Sequence, residues 1–512
     1  MHKPAKLEFH SFGNDALTRL PCSGQVKYLQ CYLTDLGAIT AIEEQNYFDR
    51  DYLAEFSAFY STSSKGYKNL CKRIHFFDIE VKRDLFRRAA GGSNQAQSRL
   101  QNAYLGFVVI RPIPTTPLGR TVLRWYPEQK PNTPRVTVPS RDYCCHIAGI
   151  KLSVHGLAWQ QQDTGVGACA TVGLWSMLHS SAFDDHHTIP TTADITRAAH
   201  KTASLGSRVF PSSGLAIYQI TEAIKQYNLA PVVLDGELPS SNKGFGKERF
   251  SSSCAALIRS GYPVLLIGQL GNLGGHAICA TGFRACPPVS CAADEIKIQD
   301  SNIQYLYIHD DNLGPNARFR INDNGLGNPI TLEADSPPPL QPHQHGGSPT
   351  TGYHTFTPHQ LVVAVHEDLR TSPDVLHKAG LEKAQILCSF VNSFFDCIKQ
   401  SRIGITLSTR FIKLADYIGI ELGRTLDGST KELAKTRMAL YEQVPPMSLH
   451  VGVVRIALDD ATPLIDILYD TTDSDRNHPV FAHVTYNKVI ADLIQHFCGR
   501  DNTQFGVKVS AF

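Results

Sequence analysis

The hydrophobic residues in the middle of the chain change from helical to strand-like spacing. The helical part places Ile217, Ile220 and Ile224 on one face of "SSGLAIYQITEAIKQYN", and "RFSSSCAALIRSGYP" repeats this spacing as far as Gly261. The strand-like part follows as four short apolar runs, "PVLLIGQ", "HAICATGF", "IQYLYIHD" and "HQLVVAVHED". Helices followed by a series of short strands predict an α+β domain with a largely antiparallel sheet.

The two flanking regions alternate between the same two patterns over shorter distances. In the N-terminal region, "YLQCYL" and "YLGFVVIRPI" predict strands, and "DRDYLAEFSAFYSTSSKGYKNLCKR" predicts a helix rich in aromatic residues. In the C-terminal region, the spacing from "SPDVLHKAG" onwards predicts a helix, "HVGVVRIALDDATPLIDILYDTTD" a hairpin and "YNKVIADLIQHF" an amphipathic helix. Both regions are therefore predicted to be α+β.

These patterns divide the chain into three predicted regions. Residues 1–148 form an N-terminal α+β domain without recognisable chemistry, and the Pro-rich "YPEQKPNTPRVTVPS" near its end predicts a linker or an edge loop. Residues 149–370 form the middle domain. Residues 371–512 form a smaller C-terminal domain, a candidate for substrate or partner recognition, or else an extension packed onto the middle domain. A chain of 512 residues is too long for one ordinary core, which agrees with such a division.

Composition and charge narrow the class of protein. With 42% hydrophobic and 19% charged residues, the chain has the composition of a folded soluble protein, and its net charge of +2 gives no reason to expect nucleic acid or a membrane surface as a partner. The N-terminus lacks the apolar segment of a secretory signal, and no apolar run reaches the ~18–20 residues of a membrane span. Thirteen cysteines without any C-x-x-C spacing favour reduced thiols. We therefore expect a cytoplasmic protein.

The first candidate for chemistry is Cys169 in "QQQDTGVGACATVGLWSMLH". Apolar residues surround the predicted helix on nearly every side, which is typical of a central, buried helix. The first turn of that helix would hold Cys169, where unpaired N–H groups and the helix dipole favour a thiolate and can also hold an oxyanion. The alternative is a small structural cysteine in the core, which is the commoner role of a lone cysteine in an apolar helix.

A second segment, "GYPVLLIGQLGNLGGHAICATGF", favours a reactive cysteine. His276 begins a predicted strand, and Ala277 leaves room beside its imidazole. Gly274 and Gly275 let the backbone pass close to a cleft. A histidine placed in this way can take the proton of a thiol and later protonate a leaving group.

A third segment, "YLYIHDDNLG", runs from a strand into an acidic turn. A carboxylate or amide at this strand end would fix the tautomer and the orientation of the imidazole. We choose Asp310 because it lies where the strand ends. Asp311 and Asn312 remain rivals, and a solvated turn without a catalytic role is an equal alternative for each of the three.

The order of these segments resembles the papain-like cysteine peptidases: glutamines before a cysteine on a central helix, an apolar "PVLLIG" strand, "GGHAICATGF", and a strand that ends in aspartate. Within that superfamily the resemblance is closest to bacterial peptidases that process double-glycine leader peptides, with phytochelatin synthases more distant. It covers residues 150–367. It implies a papain-like fold, in which the helix carrying the cysteine packs on an antiparallel sheet, flanked in this chain by two further α+β regions.

The resemblance also implies a role for each candidate residue. Cys169 would be the nucleophile, His276 the general base and acid, and Asp310 the residue that orients the imidazole. A glutamine upstream would donate to the oxyanion, together with the backbone N–H of Cys169.

The position of that glutamine departs from the family pattern. The family spacing of six residues before the cysteine falls on Asp163 in this chain. Gln162 and Gln161 lie one and two residues further away, so an extra residue in the "TGVG" turn must absorb the shift. We choose Gln162, and Gln161 remains its rival. Ala170 also stands where the family more commonly has glycine.

The sequence therefore predicts a cysteine peptidase that hydrolyses a peptide or isopeptide bond of a protein or peptide substrate through a thioester acyl-enzyme, without cofactor or metal. The flanking domains would select the substrate or regulate the enzyme, with a regulatory protein as a further partner. Two alternatives remain: an acyltransferase or transglutaminase-like enzyme with the same order of Cys, His and Asp, and an inactive papain-like scaffold that binds a partner protein. The runs "DDHH" (Asp184–His187) and "HQH" (His343–His345) are interpreted as solvated loops rather than metal sites.

Overall fold

The computed structural model divides the chain into two compact units. The first comprises Met1–Phe245, Gly261–Phe283 and Tyr305–Val365, and the second comprises Gly246–Ser260, Arg284–Gln304 and His366–Phe512. The described residues are 6–128, 133–163, 165–185, 187–202, 208–212, 214–238, 243–287, 291–335, 355–426, 430–444, 446–458, 462–472, 480–498 and 505–510. Helices and strands are both extensive, which confirms the mixed α and β class, whereas the division into regions 1–148, 149–370 and 371–512 stays a prediction. Among the described residues, no helix is both long enough and apolar enough to cross a membrane.

The strands and helices are numbered in chain order. The strands are β1 (Lys6–Ser11), β2 (Thr40–Tyr47), β3 (Cys71–Phe77), β4 (Tyr104–Ile110), β5 (Leu118–Leu123), β6 (Arg135–Val136), β7 (Arg141–Ile147), β8 (Ile150–Gly156), β9 (Leu229–Asp235), β10 (Val264–Leu270), β11 (Gly274–Arg284), β12 (Ile296–Ile298), β13 (Tyr305–Asp310), β14 (Gly314–Asn322), β15 (Thr331–Ala334), β16 (Thr355–His366), β17 (Ile405–Lys413), β18 (His450–Ala457), β19 (Pro463–Asp470), β20 (Val480–Thr485) and β21 (Val507–Ser510). The helices are α1 (Gly24–Asp35), α2 (Arg50–Ala58), α3 (Arg83–Ala90), α4 (Asn94–Ala103), α5 (Cys169–Leu178), α6 (Thr192–Ala199), α7 (Ile217–Lys225), α8 (Lys247–Arg259), α9 (Pro373–Cys397), α10 (Leu414–Asp416), α11 (Leu422–Thr425), α12 (Thr430–Glu442) and α13 (Lys488–Cys498).

An antiparallel sheet of five strands, β1 to β5 in chain order, opens the first unit. The segment "YLQCYL", predicted as a strand, lies in helix α1, so that prediction was wrong. Val26, Leu29 and Leu33 are buried at helical spacing. The Ser23 hydroxyl accepts the N–H of Val26 and caps the start of the helix. The buried positions therefore follow a spacing of three and four residues, not the alternation of a strand.

The two other N-terminal predictions had different outcomes. "YLGFVVIRPI" contains β4, so the strand was predicted correctly. "DRDYLAEFSAFYSTSSKGYKNLCKR" is helical over α2, which Asp49 caps by accepting the N–H groups of Asp51 and Tyr52. The predicted helix was too long, since β3 already begins at Cys71. The Ser-, Thr- and Gly-rich "STSSKG" between them contains weak helix formers.

A closed barrel of six antiparallel strands also belongs to the first unit. The strands β10, β11, β13, β14, β15 and β16 pair in that order, and β16 pairs back with β10. The four apolar runs predicted as strands are β10, β11, β13 and β16, so the strands and their largely antiparallel pairing were predicted correctly. Closure pairs the edges that an open sheet would leave exposed.

Helix α5 lies against this barrel. Its nine residues after Cys169 are buried, and it packs on β10, β13 and α6. A Cβ added at Gly173 would lie 2.5 Å from Leu265 Cδ1, so a larger residue at this position would require the Leu265 side chain to move. The buried helix expected from the apolar residues around Cys169 is therefore present.

A sheet of six strands forms the second unit, in the order β12, β17, β18, β19, β20 and β21. The pairs β12–β17 and β20–β21 are parallel, and the others are antiparallel. The predicted helix after "SPDV" is α9, the hairpin is β18–β19 and the amphipathic helix is α13, so these three predictions are confirmed. Helix α9 buries Ala384, Leu387 and Val391 and packs on β17 and β18.

Candidate active site

The thiol predicted as the nucleophile lies at the start of the buried helix α5. Cys169 is the first residue of that helix, and Ala168 before it has an extended backbone (φ −69°, ψ 163°). The first N–H groups of a helix have no partner within it, and an anion can be held there. Cys169 is half-buried while the rest of the helix is buried. Cys169 is therefore the one residue of this helix that is not buried.

Asp163 shapes the turn that leads into α5. Its Oδ1 accepts the backbone N–H groups of Gly165, Val166 and Gly167 at 2.7, 2.6 and 3.0 Å. The N–H of Asp163 donates to the Gly167 oxygen at 2.9 Å. One carboxylate oxygen therefore fixes three consecutive residues just before the helix. Sequence reasoning missed this role, although an aspartate before a glycine-containing turn is a recognisable signal for it.

A buried ion cluster holds Asp163. Arg111 Nη1 lies 3.1 Å from Glu55 Oε2 and 3.3 Å from Asp163 Oδ2, and each of the three side chains is at most 1% exposed. Glu55 also accepts hydrogen bonds from Gln160 Nε2 at 3.1 Å and Thr192 Oγ1 at 2.8 Å. Burial raises the pKa of Glu55 to about 7, because the lowering effect of Arg111 offsets it only in part. Residues of the N-terminal region therefore anchor the turn before the nucleophile.

His276 lies near the beginning of β11, opposite Gly268 of β10. Gly275 lines the cavity beside the imidazole, and a Cβ added at Gly274 or Gly275 would meet no atom within 4 Å. Gly274 is favoured by its φ of 117°, a conformation that strains other residues. The backbone therefore borders a cavity at Gly275, and Gly274 shapes the turn into β11.

The structure brings Cys169, His276 and Asp310 together. Asp310 is the last residue of β13, and its Oδ1 lies 3.2 Å from His276 Nε2. The Cys169 thiol lies close enough to this ring to raise its pKa, and both side chains line one cavity. Asp310 Oδ1 also accepts the Asn312 N–H at 2.9 Å, and the Asp310 backbone oxygen accepts the Trp159 indole N–H at 2.9 Å. The carboxylate is thus fixed from several sides.

The charges around His276 favour its protonated form. Burial of the ring would lower its pKa, but the charge and hydrogen bond of Asp310, with smaller contributions from Cys169 and Asp311, outweigh burial. They raise the pKa of His276 well above its usual value. The site therefore holds a positively charged ring in the cavity wall that Cys169 also lines.

Both rivals of Asp310 also lie at the His276 ring. Asp311 Oδ1 is 3.6 Å from Nε2, and Asn312 Nδ2 is 3.4 Å from it. Burial raises the pKa of the Asp311 carboxyl to about 7; the charge of His276 opposes this rise and that of Asp310 adds to it. Asp310 makes the shortest of the three contacts, so the geometry favours it as the residue that orients the ring.

The glutamines before α5 face different partners. Gln162 is half-exposed, and its Nε2 donates to Asn312 Oδ1 at 3.0 Å, so this side chain faces the acidic turn. Gln161 is buried, and its Oε1 accepts the Leu118 N–H at 3.3 Å. Gln160 donates into the buried ion cluster. The structure therefore places Gln162 at the site and Gln161 against strand β5.

A cavity of about 350 Å³ opens beside the thiol and the imidazole. It is lined by Cys169, Ala170, Gly214, Leu215, Ala216, Ile220, Ile267, Gly275, His276 and Ala277. Apart from the thiol and the imidazole, the lining residues are aliphatic or glycine. Sequence reasoning did not identify this cavity, because its walls come from separate helices, strands and loops. Its size and lining suit an apolar side chain.

Two groups of described residues have side chains close enough together to hold a cation. They are His276 with Asp310 and Asp311, and Glu8 with His10 and Glu43, each with its ligand atoms within 4.8 Å of one another. In the first group, His276 Nε2 and Asp310 Oδ1 are already bonded to each other. In the second, Arg19 pairs with Glu43 at 2.8 Å. Contacts within the protein thus use part of each ligand set, and we assign neither as a metal site.

The histidine runs considered in the sequence add no further ligand set among the described residues. Asp184 of "DDHH" pairs with Arg141, and His187 Nε2 contacts the Leu178 oxygen at 3.2 Å. His186 and the whole of "HQH" (His343–His345) lie outside the described residues.

No protein-family model matches the chain, and no curated protein matches it. A functional conclusion therefore rests on the chemistry of the site itself. A thiol at a helix start, an imidazole with a raised pKa and a carboxylate on the far side of the ring are suited to nucleophilic attack on a carbonyl carbon.

Proposed function

We propose that the protein is a cysteine peptidase with a papain-like fold, which hydrolyses a peptide or isopeptide bond through a thioester acyl-enzyme. The observation that carries the proposal is the placement of Cys169 and His276 in the wall of one cavity, with His276 Nε2 bonded to Asp310 Oδ1 at 3.2 Å. The packing of α5 on a barrel of antiparallel strands supports the fold. All the steps below use side chains and backbone groups of the chain itself.

Acylation begins with the thiol proton on His276. The Cys169 thiolate forms a bond to the carbonyl carbon, and the carbonyl electron pair moves to the oxygen. The backbone N–H of Cys169 and the side-chain amide of Gln162 would donate to that oxyanion. The imidazolium then gives its proton to the leaving nitrogen as the C–N bond breaks, which leaves a thioester and a free amine.

Deacylation consumes one water molecule. His276 takes a proton from the water as its oxygen attacks the thioester carbon, and the C–S bond then breaks to release the acid. The Cys169 thiolate and the His276 imidazolium are restored together. Asp310 holds the Nε2 side of the ring throughout, which would leave Nδ1 for the sulfur.

The apolar cavity supports a substrate with an aliphatic side chain beside the scissile carbonyl. Leu215, Ile220 and Ile267 line it, and Cys169 and His276 lie in its wall. An aliphatic side chain that enters the cavity leaves water at no cost in hydrogen bonds, whereas a charged one would lose its hydration without a partner. A peptide or protein chain supplies such a side chain at a fixed distance from its carbonyl.

A peptidyl acyloxymethyl ketone with an aliphatic side chain is expected to label Cys169 faster than any other of the thirteen cysteines. In His276→Ala the labelling should slow by about 10²–10⁴-fold, because the thiol loses its base. Timed labelling followed by peptide mapping in a mass spectrometer measures both rates. The control Cys144→Ala removes an exposed thiol outside the site and should leave the rate unchanged. Equal labelling of Cys144 and Cys169 would count against a reactive site.

Gln162→Ala is expected to lower kcat by about 10²–10³-fold with little change in KM, because an oxyanion donor acts mainly in the transition state. The matched variant Gln161→Ala removes a buried hydrogen bond to Leu118 instead. It should lower the melting temperature and leave kcat within about 3-fold of the wild type. Steady-state kinetics and thermal melting separate the two, and the reverse outcome would transfer the oxyanion role to Gln161.

A further inference from the structure

Asp311 is a buried carboxyl group that the proposed reaction does not use. Its side chain is 2% exposed, and neither of its oxygens accepts a hydrogen bond from any part of the chain that the structure describes. A carboxylate in this state would have lost its hydration without receiving donors in exchange, which is costly. The charge state of Asp311 therefore needs an explanation.

Two titratable groups face Asp311. His276 on β11 lies with its Nε2 3.6 Å from Asp311 Oδ1, and Asp310 on β13 has a carboxyl oxygen within 4.8 Å of an Asp311 oxygen. Helix α1 brings uncharged side chains to this turn: Gln25 donates to the Asp311 backbone oxygen at 3.5 Å, and Tyr28 donates to the Pro315 oxygen at 2.9 Å. Two carboxyl groups can share a hydrogen bond only if one of them carries a proton.

The contacts indicate which of the two carboxyl groups is protonated. Asp310 Oδ1 is hydrogen-bonded to His276 Nε2 at 3.2 Å and to the Asn312 N–H at 2.9 Å, as expected of an ionised carboxylate. Asp311 accepts nothing, as expected of the group that donates. The imidazolium of His276 and one carboxylate balance each other, whereas a second carboxylate would leave a buried negative charge without a partner.

We propose that Asp311 is a positioning residue: in the resting site it is a carboxylic acid that donates its proton in a hydrogen bond to Asp310. This bond holds the Asp310 carboxylate in the orientation in which it meets His276. The catalytic consequence rests on the proposed peptidase function, but the protonation of Asp311 does not. The raised pKa, about 7, agrees with this state at and below neutral pH and implies that the bond is lost above it.

Asp311→Asn and Asp311→Ala test the hydrogen bond separately from the charge. The asparagine amide can donate to Asp310 at every pH but cannot ionise. Below neutral pH, Asp311→Asn should keep the rate of Cys169 alkylation within about 3-fold of the wild type, whereas Asp311→Ala should slow it by about 10–100-fold. The pH profile of Asp311→Asn should also lack the wild-type ionisation near pH 7. Asp142→Asn, at a carboxyl that is 73% exposed, is the control and should change nothing.

Three results would overturn the proposal. If Asp311→Asn is as slow as Asp311→Ala, an ionised carboxylate is required. If Asp311→Ala alkylates within about 3-fold of the wild type, no positioning takes place. If Cys169→Ala protein binds ZnCl₂ in a calorimetric titration and the added Asp311→Asn change removes that binding, Asp311 is a metal ligand instead.

Infrared spectroscopy tests whether the Asp311 carboxyl group is protonated, and it does so without a measurement of catalysis. The wild-type spectrum minus that of Asp311→Asn should show the band of a protonated carboxyl group that disappears as the pH rises through about 7. Glu55, whose pKa is also about 7, is present in both proteins and cancels in this difference. A difference spectrum without the band would overturn the proposal. Since the band does not depend on Cys169, an unreactive thiol would refute the peptidase function and leave the carboxyl pair standing.

Discussion

Cys169→Ala is expected to abolish peptide hydrolysis, with a loss of about 10⁴-fold or more in kcat/KM. In the proposed reaction the sulfur forms the covalent bond to the carbonyl carbon, and alanine has no atom that can replace it. The His276–Asp310 pair remains in the variant. A water molecule that the site does not position is, however, a far weaker nucleophile than a positioned thiolate. Mass spectrometry of a peptide pool, chosen to contain aliphatic residues, measures the cleavage.

Loss of structure would not account for such a loss of activity. Cys169 is half-buried at the first position of α5, so its removal leaves little unfilled space, and we expect the free energy of unfolding to change by less than about 1 kcal/mol. The control Cys144→Ala should keep full activity. A Cys169→Ala protein that still cleaves peptides would contradict the peptidase proposal.

The same assay distinguishes hydrolysis from acyl transfer. Both reactions pass through a thioester, and they differ in whether water or an amine attacks it. With glycinamide added, hydrolysis gives fragments that end in a free acid, and transfer gives fragments with the amine attached. We expect the acid. Fragments that carry glycinamide as the main product would assign the protein to the acyltransferases.

Arg111→Met is expected to lower the free energy of unfolding by about 3–5 kcal/mol, because breaking a buried ion cluster leaves its remaining charges without a partner. Glu55 and Asp163 would both stay buried, each at most 1% exposed, with no cation in their place. Urea denaturation measures the loss. The control Arg87→Met removes a 74% exposed arginine from a surface pair and should cost no more than about 0.5 kcal/mol.

The loss in Arg111→Met should depend on pH in a defined direction. The pKa of Glu55 is already about 7 through burial, and removal of Arg111, which lowers it, raises it further. A buried acid with a raised pKa is neutral below that pKa and costs little free energy there. As the pH rises through the pKa, the acid ionises and the buried charge destabilises the folded protein. The variant should therefore be relatively more stable at acid pH than at alkaline pH. An equal loss on both sides of neutral pH would show that Glu55 takes up no proton.

Arg111→Met should also slow the alkylation of Cys169, although the arginine does not touch the thiol. Asp163 holds the N–H groups of Gly165, Val166 and Gly167 in the turn before α5, and Arg111 holds Asp163. A looser turn lets the start of the helix move relative to His276. A variant that is less stable yet alkylated at the wild-type rate would show that the cluster serves stability alone.

The elements of the fold were largely predictable because their signals are local. The four strand runs, the helix after "SPDV" and the buried helix α5 each carry their own hydrophobic period, and the structure contains each of them. The strand predicted for "YLQCYL" was wrong because its six residues fit the period of a helix as well as that of a strand. The cap that favours the helix, Ser23, lies outside that segment, and so does the buried residue Val26.

The sequence by itself determined the order of the chemistry: a thiol at a helix start, a histidine at the beginning of a strand and an acidic turn at the end of another. These signals can be read from the sequence because each depends only on residues that are neighbours along the chain. Only the tertiary structure decided that Gln162 faces the acidic turn and Gln161 does not, that Asp163 holds the turn before α5, and that Asp311 is buried beside His276. Those outcomes depend on burial and on partners such as Arg111, which lies 52 residues from Asp163. The charge state of a carboxyl group follows from what packs around it, and a linear pattern does not record that.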